Sequence, residues 1–170
     1  KALGNGYPMG AIIGRKSVME AAQSTFISST NWTERIGPTA ALAMIAKYRK
    51  FEVHKHLISF GTRVQAGWRE LGAKHGLKLE ASGIPPLGHF VFGYENALTL
   101  KALFVQLMLE KGFLATNMVY VMYAHQDIHL QKYLAAVDTT FGEIAEIIAS
   151  GKILERLKGK PSSSGFKRII

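Results

Sequence analysis

From Val53 to His75 the apolar residues Leu57, Phe60, Val64, Trp68 and Leu71 return at spacings of three or four. That period predicts one long helix with a single apolar face, which has to be laid on something. The residues that follow supply the partner. His75-Gly76 reads as the stop of the helix, and Leu77 to Glu80 alternates like a strand. Pro85-Pro86 marks a turn before the apolar run His89-Phe90-Val91-Phe92, a second strand. Leu98 to Lys111 is helical in pattern and is closed by Gly112. Tyr120 to Tyr123 predicts a third strand, and Ile128 to Ile148 a terminal amphipathic helix. The order helix–strand–strand–helix–strand–helix predicts a small α+β domain over residues 51–160, with its helices on one face of the sheet. Residues 161–170, opening Pro161-Ser162-Ser163-Ser164-Gly165, read as a tail.

Residues 1–50 have another character. Gly4, Gly6 and Pro8 make residues 1–9 a loop, and Gly10-Ala11-Ile12-Ile13-Gly14 predicts a short buried strand between glycines. Ser17 to Gln23 suits a brief helix, and a polar loop follows through Ser28 to Arg35. Pro38 fits the first turn of a helix whose alanine-rich body runs from Thr39 to Tyr48. The expectation is that this stretch is the C-terminal end of a larger α/β domain that begins before the chain does.

Composition excludes several function classes. With 48% apolar residues a packed core is within reach, and with no cysteine there are no disulfides, thiol nucleophiles or thiolate metal sites. No segment offers the roughly 18 to 20 uninterrupted apolar residues of a membrane span, and no signal-peptide pattern opens the chain. A cytoplasmic protein without a membrane partner is the expectation. The net charge of +9 raises the rival of a nucleic-acid-binding module, which would show salt-dependent affinity. The basic residues are scattered, however, and gather only at Lys152, Arg156, Lys158, Lys160, Lys167 and Arg168, where a solvated face suffices. No nucleic-acid partner is expected.

The chemistry concentrates in Lys1-Ala2-Leu3-Gly4-Asn5-Gly6-Tyr7-Pro8-Met9-Gly10-Ala11. A lysine becomes a nucleophile toward aldehydes only when desolvation or a neighbouring cation lowers its pKa. Glycines beside it let backbone approach a flat ligand. On residues alone, an exposed lysine on a surface loop explains the segment as well. The whole segment resembles the lysine motif of the class III aminotransferases, in particular the glutamate-1-semialdehyde aminomutase branch. A second stretch agrees with it: Thr33-Glu34-Arg35-Ile36-Gly37-Pro38 holds a threonine five residues before a helix-starting proline and 32 after Lys1. It departs from the family's small-residue run at Glu34 to Gly37. Arg35 either supports a phosphate or pairs with Glu34. Leu109 to Ala115 and Tyr123-Ala124-His125 are similar to the family's small-domain strand and its alanine-histidine signature.

The resemblance implies a fold type I, pyridoxal-phosphate-dependent transferase, here the end of the large α/β domain plus the small C-terminal α+β domain. It makes Lys1 the catalytic lysine, holding pyridoxal 5'-phosphate as a Schiff base and moving a proton between substrate carbons. Thr33 would bind the cofactor phosphate of a neighbouring subunit, where a hydroxyl and the N–H groups of a helix N-terminus suit a dianion. A homodimer with shared active sites and a small amino or keto substrate follow. The family's pyridinium-binding aspartate, stacking aromatic residue and glycine–serine or glycine–threonine phosphate turn all precede the lysine. A polypeptide of these residues alone is therefore expected to be inactive. The rival within the same fold is a catalytically degenerate binding protein, and that upstream aspartate would separate the two.

Other signals carry less. His125, at a strand-to-helix junction, suits a structural hydrogen bond or cap. Asp127 suits a helix N-cap or, by the resemblance, a place near the substrate entrance. Asn117 suits a turn or an approach to substrate. Asn31-Trp32-Thr33 matches a glycosylation sequon by coincidence, His54 and His56 point to different helix faces, and His125 and His129 lack the glutamate of a zinc hydrolase. Gly159-Lys160-Pro161-Ser162 lacks the upstream glycine of a phosphate loop. No metal site is expected.

Overall fold

The structure, a computed structural model, describes residues 2–28, 30 and 33–163. Its elements are α1 (Lys16–Met19), a 3-10 turn (Glu20–Ser24), α2 (Ile36–Lys50), α3 (Val53–Lys74), β1 (Leu79–Ser82), β2 (Leu87–Phe92), α4 (Ala97–Glu110), β3 (Met118–Tyr120), α5 (Asp127–Ser150) and α6 (Ile153–Arg156). Two compact units meet in sequence between His54 and Lys55.

In the second unit the three strands form an antiparallel sheet in the order β1-β2-β3. Leu79 pairs with Phe92 and Ala81 with Phe90, while Gly88 pairs with Val119. Strand alternation therefore puts Gly88, Phe90 and Phe92 on the buried face and Leu87 and Val91 on the other. The buried face meets all three long helices. Phe90 packs ring to ring against Trp68 of α3 at 5.1 Å, Phe104 of α4 at 5.0 Å and Phe141 of α5 at 5.6 Å, and against Phe92 of its own strand. These are edge-to-face contacts, the arrangement the ring quadrupole prefers.

The apolar stripe of α3 behaves as its spacing requires: Phe60, Val64 and Trp68 are buried, and Leu57 and Leu71 pack at the margin. Its buried polar residues Trp68 and Gln65 are partnered, while His56 Nε2 is buried without a hydrogen-bond partner. Trp68 Nε1–H donates to Tyr133 Oη at 2.9 Å, and burial pushes the Tyr133 phenol well up from its ordinary pKa. Gln65 Nε2 donates to the carbonyls of Ser82 and Gly83, and Arg69 to that of Ala81. Gly61 lets α3 touch the β1–β2 turn, because a Cβ there would collide with the Pro85 carbonyl.

The strand boundaries differ from expectation for a local reason. Leu77, read as the start of β1, closes α3 instead: its N–H donates to the Gly72 carbonyl at 2.9 Å and the Gly76 N–H to that of Ala73. This double bond pattern needs a left-handed residue, and Gly76 has φ +66. β3 spans 118–120 rather than 120–123, because the Met122 N–H turns to the His125 ring.

In the first unit the described residues bury only Gly4, Gly37 and Ala41. The strand expected over 10–14 is absent. Ile12 and Ile13 are 73% and 90% exposed, and every described strand lies in the three-stranded sheet beyond residue 78. An extended segment without a ladder partner is no strand.

Candidate functional site

The glycine-rich loop is a pair of consecutive turns. Asn5 N–H donates to the Ala2 carbonyl and Tyr7 N–H to that of Gly4, both at 3.2 Å. A side chain at Gly4 would run into the Tyr7 carbonyl oxygen. Lys1, the residue singled out for Schiff-base chemistry, lies outside the described residues.

The loop meets the head of α2 at Gly37. A Cβ on Gly37 would sit 2.8 Å from the Pro8 carbonyl oxygen and 2.7 Å from Glu34 Oε1. Only a glycine therefore lets the helix start lie against both the loop backbone and that carboxylate. Together they shape a cleft of ≈ 400 Å³ lined by Tyr7, Arg35, Ile36, Thr39, Ala40 and Ala43. Arg35 lines this cleft, and its guanidinium is a donor fork of the kind that suits carboxylate or phosphate.

Thr33 is exposed in the turn before α2, so its hydroxyl is accessible to a ligand. The helix N–H groups are not similarly open. Glu34 Oε2 accepts from the Ile36 N–H at 2.6 Å and Oε1 from the Gly37 N–H at 2.8 Å. Pro38 has no N–H, and the Thr39 N–H is bonded to the Arg35 carbonyl at 3.0 Å. The first turn is thus capped by the protein's own carboxylate, an anion where the helix dipole favours one. Glu34, one of the two partners weighed for Arg35, bonds to backbone. Sequence reasoning missed this cap, although a carboxylate just ahead of an Ile-Gly-Pro helix start is a recognisable signal. It also missed Tyr7, an aromatic wall of the cleft.

A phosphate-bearing aldehyde therefore fits these residues in part. The Thr33 hydroxyl and Arg35 offer donors to an anionic group, and separately the loop glycines leave open backbone at Gly6, where a Cβ would meet nothing within 4 Å. The α2 N–H groups contribute nothing while Glu34 holds them.

The second unit accounts for the remaining residues structurally. His125 Nδ1 accepts from the Met122 N–H at 3.1 Å, and its ring stacks on Phe60 at 5.1 Å. Asp127 is the first residue of α5 rather than its cap, which is Gln126, and its carboxylate pairs with Arg63. Asn117 Nδ2 donates to the Phe90 carbonyl at 2.7 Å, tying β3 to β2. No cluster of His, Asp and Glu that could hold a metal occurs among the described residues. None of their helices is long and apolar enough to cross a membrane.

Comparison with known proteins found no matching family model. Among curated proteins, the chain is 23% identical to the aminopentol aminotransferase of Sphingopyxis macrogoltabida, covering 88% of this chain and 36% of that enzyme. It is 26% identical to the 2'-deamino-2'-hydroxyneamine transaminase of Streptomyces kanamyceticus, covering 81% and 36%. It is also 25% identical to glutamate-1-semialdehyde 2,1-aminomutase 2 of Lysinibacillus sphaericus (strain C3-41), covering 86% and 38%. Among solved structures it matches the PLP internal aldimine form of the Sphingopyxis sp. MTA144 FumI protein, with a TM-score of 0.74 and 24% identity over 87% of this chain and 36% of that one. The chain thus resembles class III aminotransferases and has the fold of the corresponding part of a fold type I transaminase. It spans little more than a third of the length of the relatives it matches.

Proposed function

We propose that this chain is the C-terminal part of a pyridoxal-phosphate-dependent class III aminotransferase or aminomutase, which moves an amino group between an amine-bearing carbon and a carbonyl. What carries the reading is coincidence of site and similarity. The lysine–glycine loop and the threonine–proline turn lie at the family's spacing in a chain whose curated relatives are aminotransferases and an aminomutase over most of its length. Residues up to about 50 are the end of the large domain, and those from about 51 to 160 the small one.

Bound pyridoxal 5'-phosphate supplies an aldehyde to capture amines and a ring that accepts electrons from the substrate carbon. Lys1 is the residue that holds the aldehyde and afterwards carries the proton between substrate carbons. Thr33 donates its hydroxyl to the phosphate, across the interface of a homodimer. Arg35 adds positive charge two residues away, and Glu34 fixes the turn between them. The cytoplasm is the proposed compartment.

The test uses the full-length protein. Borohydride reduction of the cofactor-loaded enzyme followed by peptide mass spectrometry is expected to find the cofactor on Lys1, and Lys1→Ala to abolish both the adduct and the visible absorbance. Reduced cofactor recovered on another lysine, or none retained at all, would end the proposal.

A further inference from the structure

Two imidazoles at the start of α5 are used as acceptors. Met122 N–H donates to His125 Nδ1 at 3.1 Å, and Gln126 N–H to His129 Nδ1 at 3.0 Å. The second bond is the reach-back that a glutamate or glutamine makes in a capping box. A ring nitrogen accepts only without a proton, so each neutral ring carries its hydrogen on Nε2. A second proton can enter only at Nδ1, the atom the backbone is using. Charging the two rings therefore removes both turn bonds.

The surroundings disfavour a charge on His125. The rings of His125 and His129 lie 6.4 Å apart, at a helix N-terminus whose dipole repels cations. From α3, His56 packs against Phe60 and Tyr123, its Nε2 buried without a hydrogen-bond partner, and Arg63 stands over Phe60, on which His125 stacks. The carboxylate at hand, Asp127, is engaged by Arg63. Burial first, then the charges of His129 and His56, hold the His125 pKa below the ordinary histidine value.

We propose that His125 and His129 form an acid-sensitive latch: neutral, they close the 122–129 turn at the head of α5, and once protonated they release it. The direction follows from linkage at His125. A histidine whose folded value lies below its unfolded value stabilises the closed form above the unfolded value. That stability is lost as pH falls through the unfolded value toward the folded one. The latch is independent of the cofactor reading.

Hydrogen exchange of the full-length protein, corrected for intrinsic rates, tests it at about pH 7.5 and about pH 5, either side of the ordinary histidine value. Protection of amides 121–130 is expected to fall on the order of tenfold at the lower pH, as the loss of two hydrogen bonds implies, with β2 and α4 unchanged. The double variant His125→Asn, His129→Gln keeps an oxygen acceptor at each site and cannot titrate. It is expected to hold its protection within about twofold. Undiminished protection of the wild type at low pH, or an equal fall in the double variant, would overturn the latch. Histidine-selective 15N NMR of the wild type checks it without any variant: both rings are expected as Nε2–H tautomers at neutral pH, and Nδ1–H on either one refutes it.

Discussion

Thr33 and Gly61 carry opposite kinds of risk. The Thr33 hydroxyl is exposed and owes nothing to the core, so Thr33→Val in the full-length protein is expected to leave stability unchanged. It should weaken cofactor binding by about 1.5–3 kcal/mol, roughly ten- to a hundredfold, the worth of one hydrogen bond to a charged group. Equilibrium dialysis against pyridoxal phosphate measures it. Gly61→Ala drives a methyl into the Pro85 carbonyl and is expected to destabilise the protein by about 1–3 kcal/mol, read from the denaturant midpoint. Neither effect would follow from residue type alone. Thr33 was legible because its distance from Lys1 and Pro38 could be counted. Glu34 was not, because its role depends on where its carboxylate turns, and a three-dimensional contact with Gly37 and Pro8 decides that.

The long helices were legible because each has a repeating apolar face and a glycine at its end. α3, α4 and α5 fall within about two residues of the ranges their spacing gave. The strands were less so. They are short, and their ends are set by bonds to residues distant in sequence or to side chains, as at Leu77 and Met122. The run 10–14 has a strand's composition but no ladder partner among the described residues. Between α3 and α5 a polar tie adds a pH effect. Asp138 accepts from Lys74 Nζ at 2.7 Å and contacts His75 Nε2 at 2.7 Å, and these two hold its carboxyl below the ordinary aspartate value. A carboxylate depressed in the folded state stabilises it above the unfolded pKa, and that contribution is lost as pH falls through the folded one. Asp138→Asn is therefore expected to flatten the acid limb of the stability–pH curve below about pH 4. The partners are partly exposed, so the effect should shrink in high salt. Denaturant titrations across pH, at two salt concentrations, report it.

At the scale of the molecule the two units are unequal. Nearly every buried apolar residue belongs to the second, and Ala41 is the exception among those described. Local opening is easiest where little apolar surface is buried. Brief proteolysis of the 170-residue chain is thus expected to remove the segment before about residue 55 first, identified by intact mass. A first cut within 60–110 would contradict that ranking. The second unit itself offers no such weak seam. Phe90 stands where α3, α4 and α5 all press on one strand, and these helices also touch one another, Phe104 against Phe141 and Trp68 against Tyr133, so a load applied to any one of them is shared by the other two. A body tied at so many points has no single link to fail first, and under tension it would give way all at once.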